Sequence, residues 1–448
     1  MENNARQIVL IGGGYASIWA YRSIRDELLT ELTAGRIKIR VICPEDFHFF
    51  HGWTAESLCG IINDENRMSP LAQIFKHAEI IKGKASHIDT GSRIVYVNLN
   101  DGDNRAVPYD ELLLGMGSSD NTNIEGLAEY AYQIKSHNAF LRTKLRIRFL
   151  LNEVAGMEAA SSETLRFVVA GSGFTGVEIA GNLAEMLQLA RKQYPGLNKI
   201  NTSIILVNSR KEILPGLSSG MKRMRSYAEK ILRKYGIEII NETKITRVTN
   251  QGAYLSDGSF IESRMVISTV GQSRIQLSGT GKMKRDIENR ILTNNFLQAI
   301  DHENIWVAGD AANVNHPVSG NACPSNALWA IKQGEYAGRN IARSVLSKPL
   351  KPFAYKGLGQ CASLGIGKGI GELYGIQCTG WTAWITRWFF FQYFMPLKKL
   401  AWFEIGDWLQ LLFTRSRKGF QLIAGDNREN CSEGQFRALG TNQFIYLN

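Results

Sequence analysis

Twice in this 448-residue chain a β-type apolar run breaks into a cluster of glycines and then resumes with helical periodicity. The first instance passes from Gln7–Ile11 through Gly12-Gly13-Gly14-Tyr15-Ala16-Ser17 into a helix-period segment reaching Leu28. The second passes from Leu165–Ala170 through Gly171-Ser172-Gly173-Phe174-Thr175-Gly176 into Val177–Leu189. In a strand–turn–helix unit of this kind the first glycine makes the turn and the second lets backbone approach a pyrophosphate. The third lets helix and strand pack closely, and the phosphates face the positive end of the helix. A single copy is weak evidence, because glycine-rich turns often hold no ligand. Two copies imply two dinucleotides and an α/β fold with two Rossmann-like domains. Ser17 stands where the first copy would carry its third glycine.

The repeat continues downstream. A turn at Leu99-Asn100-Asp101-Gly102 and an apolar run from Tyr109 to Gly117 are echoed by Leu255-Ser256-Asp257-Gly258 and the run from Met265 to Gly271. This is the pattern of a duplicated nucleotide domain, with Gly117 and Gly271 ending strands beside a bound cofactor. A further short run, Asn304–Ala308, ends in Gly309-Asp310 before a helical stretch; alone, the aspartate reads as a helix cap. Fifty-two Lys and Arg against 41 Asp and Glu leave a net charge of +11, which favours a polyanion of some kind. Six cysteines form no C-x-x-C pair and no cluster with histidine, so neither a zinc site nor a disulfide framework is expected. The first residues run into the strand Ile8–Ile11, so no signal peptide is expected.

With these elements in order, the chain resembles the two-dinucleotide flavoprotein reductases, and within them type II NADH dehydrogenase, a single-subunit quinone reductase of the membrane surface. The resemblance rests on Gly12-Gly13-Gly14-Tyr15, Phe47-His48-Phe49-Phe50, Phe174-Thr175-Gly176-Val177-Glu178-Ile179-Ala180-Gly181, Ile213-Leu214-Pro215-Gly216 and the C-terminal block. It implies FAD on the first cradle, with Gly12, Gly13, Gly14, Tyr15, Ala16 and Ser17 at the pyrophosphate. Cys43, His48, Gly117 and Gly309 would lie along the cofactor and Asp310 at the ribityl chain. It also implies NADH or NADPH on the second cradle, at Gly171, Gly173, Phe174, Thr175, Gly176, Asn208, Ser209, Arg210 and Gly271, with Glu178 near the nicotinamide.

Three departures from that pattern bear on function. The second strand of the first unit, Ile39–Ile42, ends at Cys43 where an acid usually holds the adenosine ribose; Glu45 or Asp46 substitutes, or that ribose is held more loosely. The matching strand of the second unit, Ser203–Val207, ends at Asn208, with Ser209 and Arg210 following, and residues of this type favour NADPH. The family's helix beyond Gly-Asp carries two glutamines one turn apart facing the quinone. Here Leu328 and Lys332 occupy those positions beside Trp329. Lys332 is the candidate donor to an acceptor carbonyl and Lys368 a second basic candidate.

Residues 381–420 are crowded with aromatics, from Trp381, Trp384 and Trp388 to Trp402, Trp408 and Phe420. Trp402, Ile405, Trp408, Leu409, Leu412 and Phe413 share one helical face, with Glu404, Asp407, Gln410 and Thr414 opposite. Arg387, Lys398, Lys399, Arg415, Arg417 and Lys418 punctuate the block. A spanning helix would place Arg387 in hydrocarbon, so a segment lying on an anionic bilayer is expected.

The expected organisation is an FAD domain in two parts, 1–118 and 285–370, an inserted NAD(P) domain at 119–284, and an amphipathic helical membrane-anchoring segment at 371–448. The expected enzyme passes two electrons from NAD(P)H through FAD to a quinone or similar hydrophobic acceptor. It would be peripheral to the cytoplasmic face of the membrane, with no nucleic-acid partner, no metal, and a homodimer possible. A sulfide:quinone reductase is the rival enzyme and a non-turnover flavoprotein sensor or scaffold the rival of another class. The former needs paired reactive cysteines, and none lies between Cys59 and Cys323.

Overall fold

The computed structural model describes residues 5–155 and 164–414, which divide into two compact units. The first comprises residues up to 51, 67–119 and 272–357; the second comprises 52–66, 120–271 and 358 onward. Arg415, Arg417, Lys418 and Phe420 lie outside the described residues.

The first unit is built on a seven-stranded sheet in the order Ile305–Val307, Glu111–Leu114, Arg6–Ile11, Ile37–Cys43, Ala78–Asp89, Ile94–Leu99, Asn104–Pro108. The first five strands are parallel and the last two pair antiparallel. Arg6–Ile11 is central, and its Ile8, Val9 and Leu10 are fully buried, as a parallel strand covered on both faces requires. Chain order reverses on either side of it, which opens a crevice at the carboxyl ends of the strands. Helix Tyr15–Thr33 follows directly. Ser17 is tolerated in place of the third glycine because closeness is achieved elsewhere: a Cβ on Gly334 or Gly338 of helix Ala327–Val345 would run into the backbone of Ala16 or Ala20.

The second unit repeats the plan. Its parallel sheet runs Glu238–Ile240, Asn201–Val207, Thr164–Ala170, Met265–Ser268, with helix Phe174–Gln193 after the central strand. A three-stranded antiparallel sheet, Ile245–Thr249, Gly252–Leu255 and Phe260–Glu262, packs on it through Val248, Ala253 and Ile261. A second such sheet, Gly359–Ser363, Gly369–Leu373 and Ile376–Gly380, docks on the cradle helix, where Asn182 donates to the Ser363 carbonyl at 3.0 Å.

Two sequence readings need correction here. The Gly309-Asp310 segment does not enter a helix: it makes one 3₁₀ turn, Gly309–Ala311, then a short strand, and the helix begins at Ala327, capped by Asn326 accepting from the Trp329 amide at 3.1 Å. In the tail, Trp408 of the apolar face turns inward beside the polar face, while Trp402 stays outward. Helices Trp381–Phe394 and Lys398–Thr414 are both present, but Glu404 is fully buried, and Asp407 accepts from the Asn63 amide at 3.0 Å and the Asn66 side chain at 2.7 Å. Trp402 is 71% exposed while Trp408 is buried. The inward acids have specific donors, Trp53 Nε1 reaching Glu404 at 2.7 Å, as buried polar groups require. No helix among the described residues is long and apolar enough to cross a membrane.

Candidate active site

The first cradle has the backbone that a pyrophosphate needs. Gly12 sits at φ +106°, and a Cβ there would strike the Gly115 carbonyl; its amide bonds Ile42 at 2.8 Å. Gly14 is the N-cap of helix Tyr15–Thr33, extended, with no side-chain cap and nothing within 4 Å of where a Cβ would stand. The helix therefore presents bare amides and open space. Nearby, Ser118 donates to Asp310, and Gln333 Oε1 accepts the Gly309 amide at 2.8 Å, which fixes the Gly-Asp turn.

His48 is buried against Tyr15, ring centroids 4.5 Å apart. Burial pushes its pKa down to about 4, against a Gly13 backbone hydrogen bond that favours the cation, so the ring is neutral at physiological pH. Nε2 has no partner among the described residues. The Gly13 bond therefore uses Nδ1–H and leaves an inward lone pair beside the cradle. An open turn and an orphaned acceptor together fit a bound dinucleotide.

Cys43 is a correction. It is buried under Gly13, its Sγ turned to the Glu45 carbonyl at 3.4 Å, and burial pushes the thiol up to about 12. It packs and offers nothing to a ribose. Asp46 is taken by Lys82 at 2.7 Å, which leaves Glu45, exposed just beyond the strand, as the acid at this edge.

The second cradle repeats the geometry. Gly171 has φ +98°, Gly173 is an extended N-cap with open space around it, and a Cβ on Gly176 would run into the Gly171 carbonyl. Phe174 and Thr175 open the helix, and Gly271 turns at φ +76° after the strand Met265–Ser268. Asn208, however, is turned inward and fully engaged, while Ser209 and Arg210 are exposed.

Glu178, on the cradle helix, belongs to a buried charge cluster that sequence reasoning missed. Arg387 of the aromatic helix lies 2.6 Å from Glu56 and 2.8 Å from Glu178, and it also donates to the Gly52 carbonyl at 3.0 Å. The Ser363 amide donates to Glu178 at 2.9 Å. The sequence places Arg387 among the basic residues of a segment lying on an anionic bilayer, but its side chain is 1% exposed. Two carboxylates converge on one guanidinium. Burial pushes Glu178 up to about 7, with Arg387 opposing the rise and Glu56 adding to it. Burial would lower Arg387, but the two acids outweigh it and hold its pKa above the ordinary value.

A pH dependence follows. Glu178 titrates near 7 in the folded chain and near 4.5 when unfolded, so between those values the native state holds a proton that the unfolded state has lost. The stability from this group is complete below the lower value and disappears as pH rises through the upper one. Thermal midpoints measured from about pH 5 to about pH 8 should fall for the native chain relative to Glu178→Gln, whose amide cannot titrate.

On helix Ala327–Val345, Leu328 and Trp329 are nearly buried, and Trp329 packs on Tyr355 and His316 at 4.9 and 5.4 Å between ring centroids. Lys332 is tied to Glu335 at 3.0 Å and lies 6.0 Å from the Tyr355 ring, so it is a paired charge. Lys368 is likewise paired, with Glu185 at 2.9 Å.

A family model for pyridine nucleotide-disulphide oxidoreductases matches residues 6–334. The chain belongs to this family. It is 25% identical over 390 residues to the type II NADH:quinone oxidoreductase of Staphylococcus haemolyticus, covering 85% of this chain and 92% of the relative. The type II resemblance read from the sequence is thereby supported. Its fold matches NDH2 from Plasmodium falciparum in complex with NADH at a TM-score of 0.82, with 14% identity over 94% of this chain and all of that one. It also matches the sulfide:quinone oxidoreductase of Aquifex aeolicus at 0.68, with 16% identity over 92% of this chain and 96% of the other.

Proposed function

We propose that the chain is a flavin-dependent NAD(P)H:quinone oxidoreductase working at a membrane surface. The observation that carries this is the pair of open glycine cradles, each at the carboxyl end of a central parallel strand and each followed by an uncapped helix. FAD, when bound, would supply two-electron chemistry between a nicotinamide and a quinone.

The chain's own residues bind and orient. Residues 1–118 and 285–370 would hold FAD, with Gly12 to Ser17 around the pyrophosphate, Glu45 at the adenosine ribose, and Asp310 with Ser118 at the ribityl chain. His48 Nε2 would accept from a hydroxyl of the same cofactor. Residues 119–284 would hold the nicotinamide coenzyme, NADPH being favoured over NADH by the exposed Arg210. Leu328 and Trp329 give the acceptor an apolar wall, which suits a quinone ring and excludes water. A sulfide:quinone activity is disfavoured by the thiols: burial pushes Cys361 up to about 12 and raises Cys378 as well, and a protonated thiol is a poor nucleophile. Heat release and identification of the bound flavin, with NADPH-driven reduction of a soluble quinone, tests the proposal. A preparation without flavin, or with flavin but no quinone reduction, rejects it.

The membrane reading rests on an exposed stripe along the aromatic helix, Trp381, Ile385, Phe389 and Tyr393 at spacings of four, joined by Trp402 and Phe403 on the next helix and flanked by Lys398 and Lys399. Phe389→Ser with Trp402→Ser should move the protein from the pellet to the supernatant in sedimentation with anionic vesicles, while turnover of a soluble quinone stays unchanged. Equal pelleting of variant and parent would refute this face.

A further inference from the structure

The three-stranded sheet Gly359–Ser363, Gly369–Leu373, Ile376–Gly380 is covered on both faces by helices of its own unit. Side chains alternate along each strand, and the two faces meet different partners. Gln377 Nε2 donates to the Gly220 carbonyl at 3.1 Å and Gln360 Nε2 lies 4.0 Å from Met221 Sδ, both just before helix Lys222–Lys234. On the other face a Cβ on Gly371 would stand 3.6 Å from the Ala383 Cβ of the aromatic helix. Beyond both helices the last two strands close in a hairpin. Leu373 pairs with Ile376 across a two-residue turn, Tyr374 at φ +49° and Gly375 at φ +85°. Glu372 accepts the Gly375 amide, and the Leu358 carbonyl accepts the Tyr374 amide at 3.0 Å.

A turn with two positive φ values suits Asn-Gly, and a bulky residue at its first position is strained. Burial does not offset that strain here: Tyr374 is 76% exposed, Ile376 75% and Leu373 38%. The start of the basic helix borders this apolar tip, since Gln377, bonded to Gly220, is the neighbour of Ile376. Lys222 and Arg223 are exposed there, and Lys230, Arg233 and Lys234 continue along the solvent face. None of the five makes an ion pair among the described residues, and the helix carries one acid, the half-buried Glu229. Residues 210–234 hold eight basic and two acidic side chains, so more than half of the chain's +11 is concentrated in this stretch. The tip is distinct from the aromatic stripe, because it lies at the far end of strand Ile376–Gly380 from Trp381, about 13 Å along it.

We propose that the Leu373–Ile376 hairpin tip inserts into an anionic bilayer, and that Lys222 and Arg223, backed by Lys230, Arg233 and Lys234, hold acidic headgroups beside it. This deepens the membrane reading above and rests on it, through residues that the reading did not use. The partner follows from shape and charge. Three side chains on a projecting turn fall far short of the roughly 800 Å² per partner that a stable protein interface buries. An apolar projection bordered by unpaired cations suits a headgroup layer, where the side chains enter the acyl boundary and the cations stay at the phosphates. Two contacts on one unit reinforce each other, so losing either this tip or the aromatic stripe releases the protein.

The test is co-sedimentation of the flavin-loaded protein with vesicles of phosphatidylcholine alone and of phosphatidylcholine with phosphatidylglycerol, at low and high salt. Lys222→Gln with Arg223→Gln should bind the phosphatidylglycerol vesicles about twentyfold more weakly at low salt, each basic residue near an anionic surface being worth about fivefold in partition. At high salt the same variant should match the parent, because the headgroup attraction is screened. Tyr374→Asn with Ile376→Thr should weaken binding about tenfold at both salt concentrations. Asparagine suits the positive φ, so the turn is kept, and flavin content, melting temperature and turnover of a soluble quinone should equal the parent's in both variants. Either variant pelleting as the parent does overturns the proposal. Self-association of the parent that Tyr374→Asn with Ile376→Thr abolishes would assign the tip to a second copy and overturn the lipid partner. Failure of the underlying reading looks different: the parent would stay in the supernatant with both vesicles. Release of Phe389→Ser with Trp402→Ser while the tip variant stays bound would confine the failure to the hairpin.

Discussion

Gly173→Leu is expected to fold, to stay yellow, and to lose NAD(P)H oxidation by about a hundredfold or more, because misplacing a reactant by even an ångström has that effect. Gly173 has φ −66°, which any residue adopts, and no atom lies within 4 Å of the added Cβ. The added Cβ therefore meets no protein, and the side chain is expected to enter the space reserved for the pyrophosphate. Gly176→Leu is a different experiment, since its Cβ would collide with the Gly171 carbonyl and break the turn itself. Flavin content should survive in Gly173→Leu because the other cradle, around Gly12 and Gly14, belongs to the first unit. Flavin absorbance and coenzyme consumption measured on one sample separate the two sites. Normal coenzyme KM in this variant would contradict the assignment of the second cradle.

Arg387→Met should destabilise the chain by about 3–5 kcal/mol, the usual result of removing one partner from a buried ion pair. The substitution leaves Glu56 and Glu178 facing each other without the guanidinium that both now share, in a site where Arg387 also packs 4.4 Å from the centre of the Phe391 ring. Neutralising the acids should return most of the loss. Arg387→Met with Glu56→Gln and Glu178→Gln is expected to melt well above Arg387→Met alone, whereas a role confined to packing would give no such recovery. Thermal or denaturant unfolding of the three proteins checks this, and an Arg387→Met chain as stable as the parent would exclude the cluster as a structural bond.

That cluster also marks where sequence reading stops. The cradles were legible because their constraints are local: a positive φ at Gly12 and Gly171, a close approach at Gly176, and open space at Gly14 and Gly173 all fall within six residues of one another in each copy. The ion pair between Glu56 and Arg387 joins positions 331 apart in sequence, and no periodicity announces it. Helical spacing separated Trp402 from Glu404 correctly, but it could not say which face turned inward. The answer came from Trp53, Asn63 and Asn66, which supply donors to Glu404 and Asp407 from a distant segment. The strands between Gly359 and Gly380 escaped notice because they are short and rich in glycine. At Cys43 and Asn208 the position at a strand end marks a ribose edge, and burial and hydrogen bonding show that each side chain is turned away from it.

The most direct test of the central claim is anaerobic rapid mixing of the flavin-loaded protein with NADPH, followed by a soluble quinone, with the flavin absorbance recorded throughout. The account predicts that the coenzyme bleaches the flavin within a turnover and that the quinone restores its colour. Flavin that NADPH and NADH both leave oxidised, or that stays reduced in the presence of quinone, would contradict it.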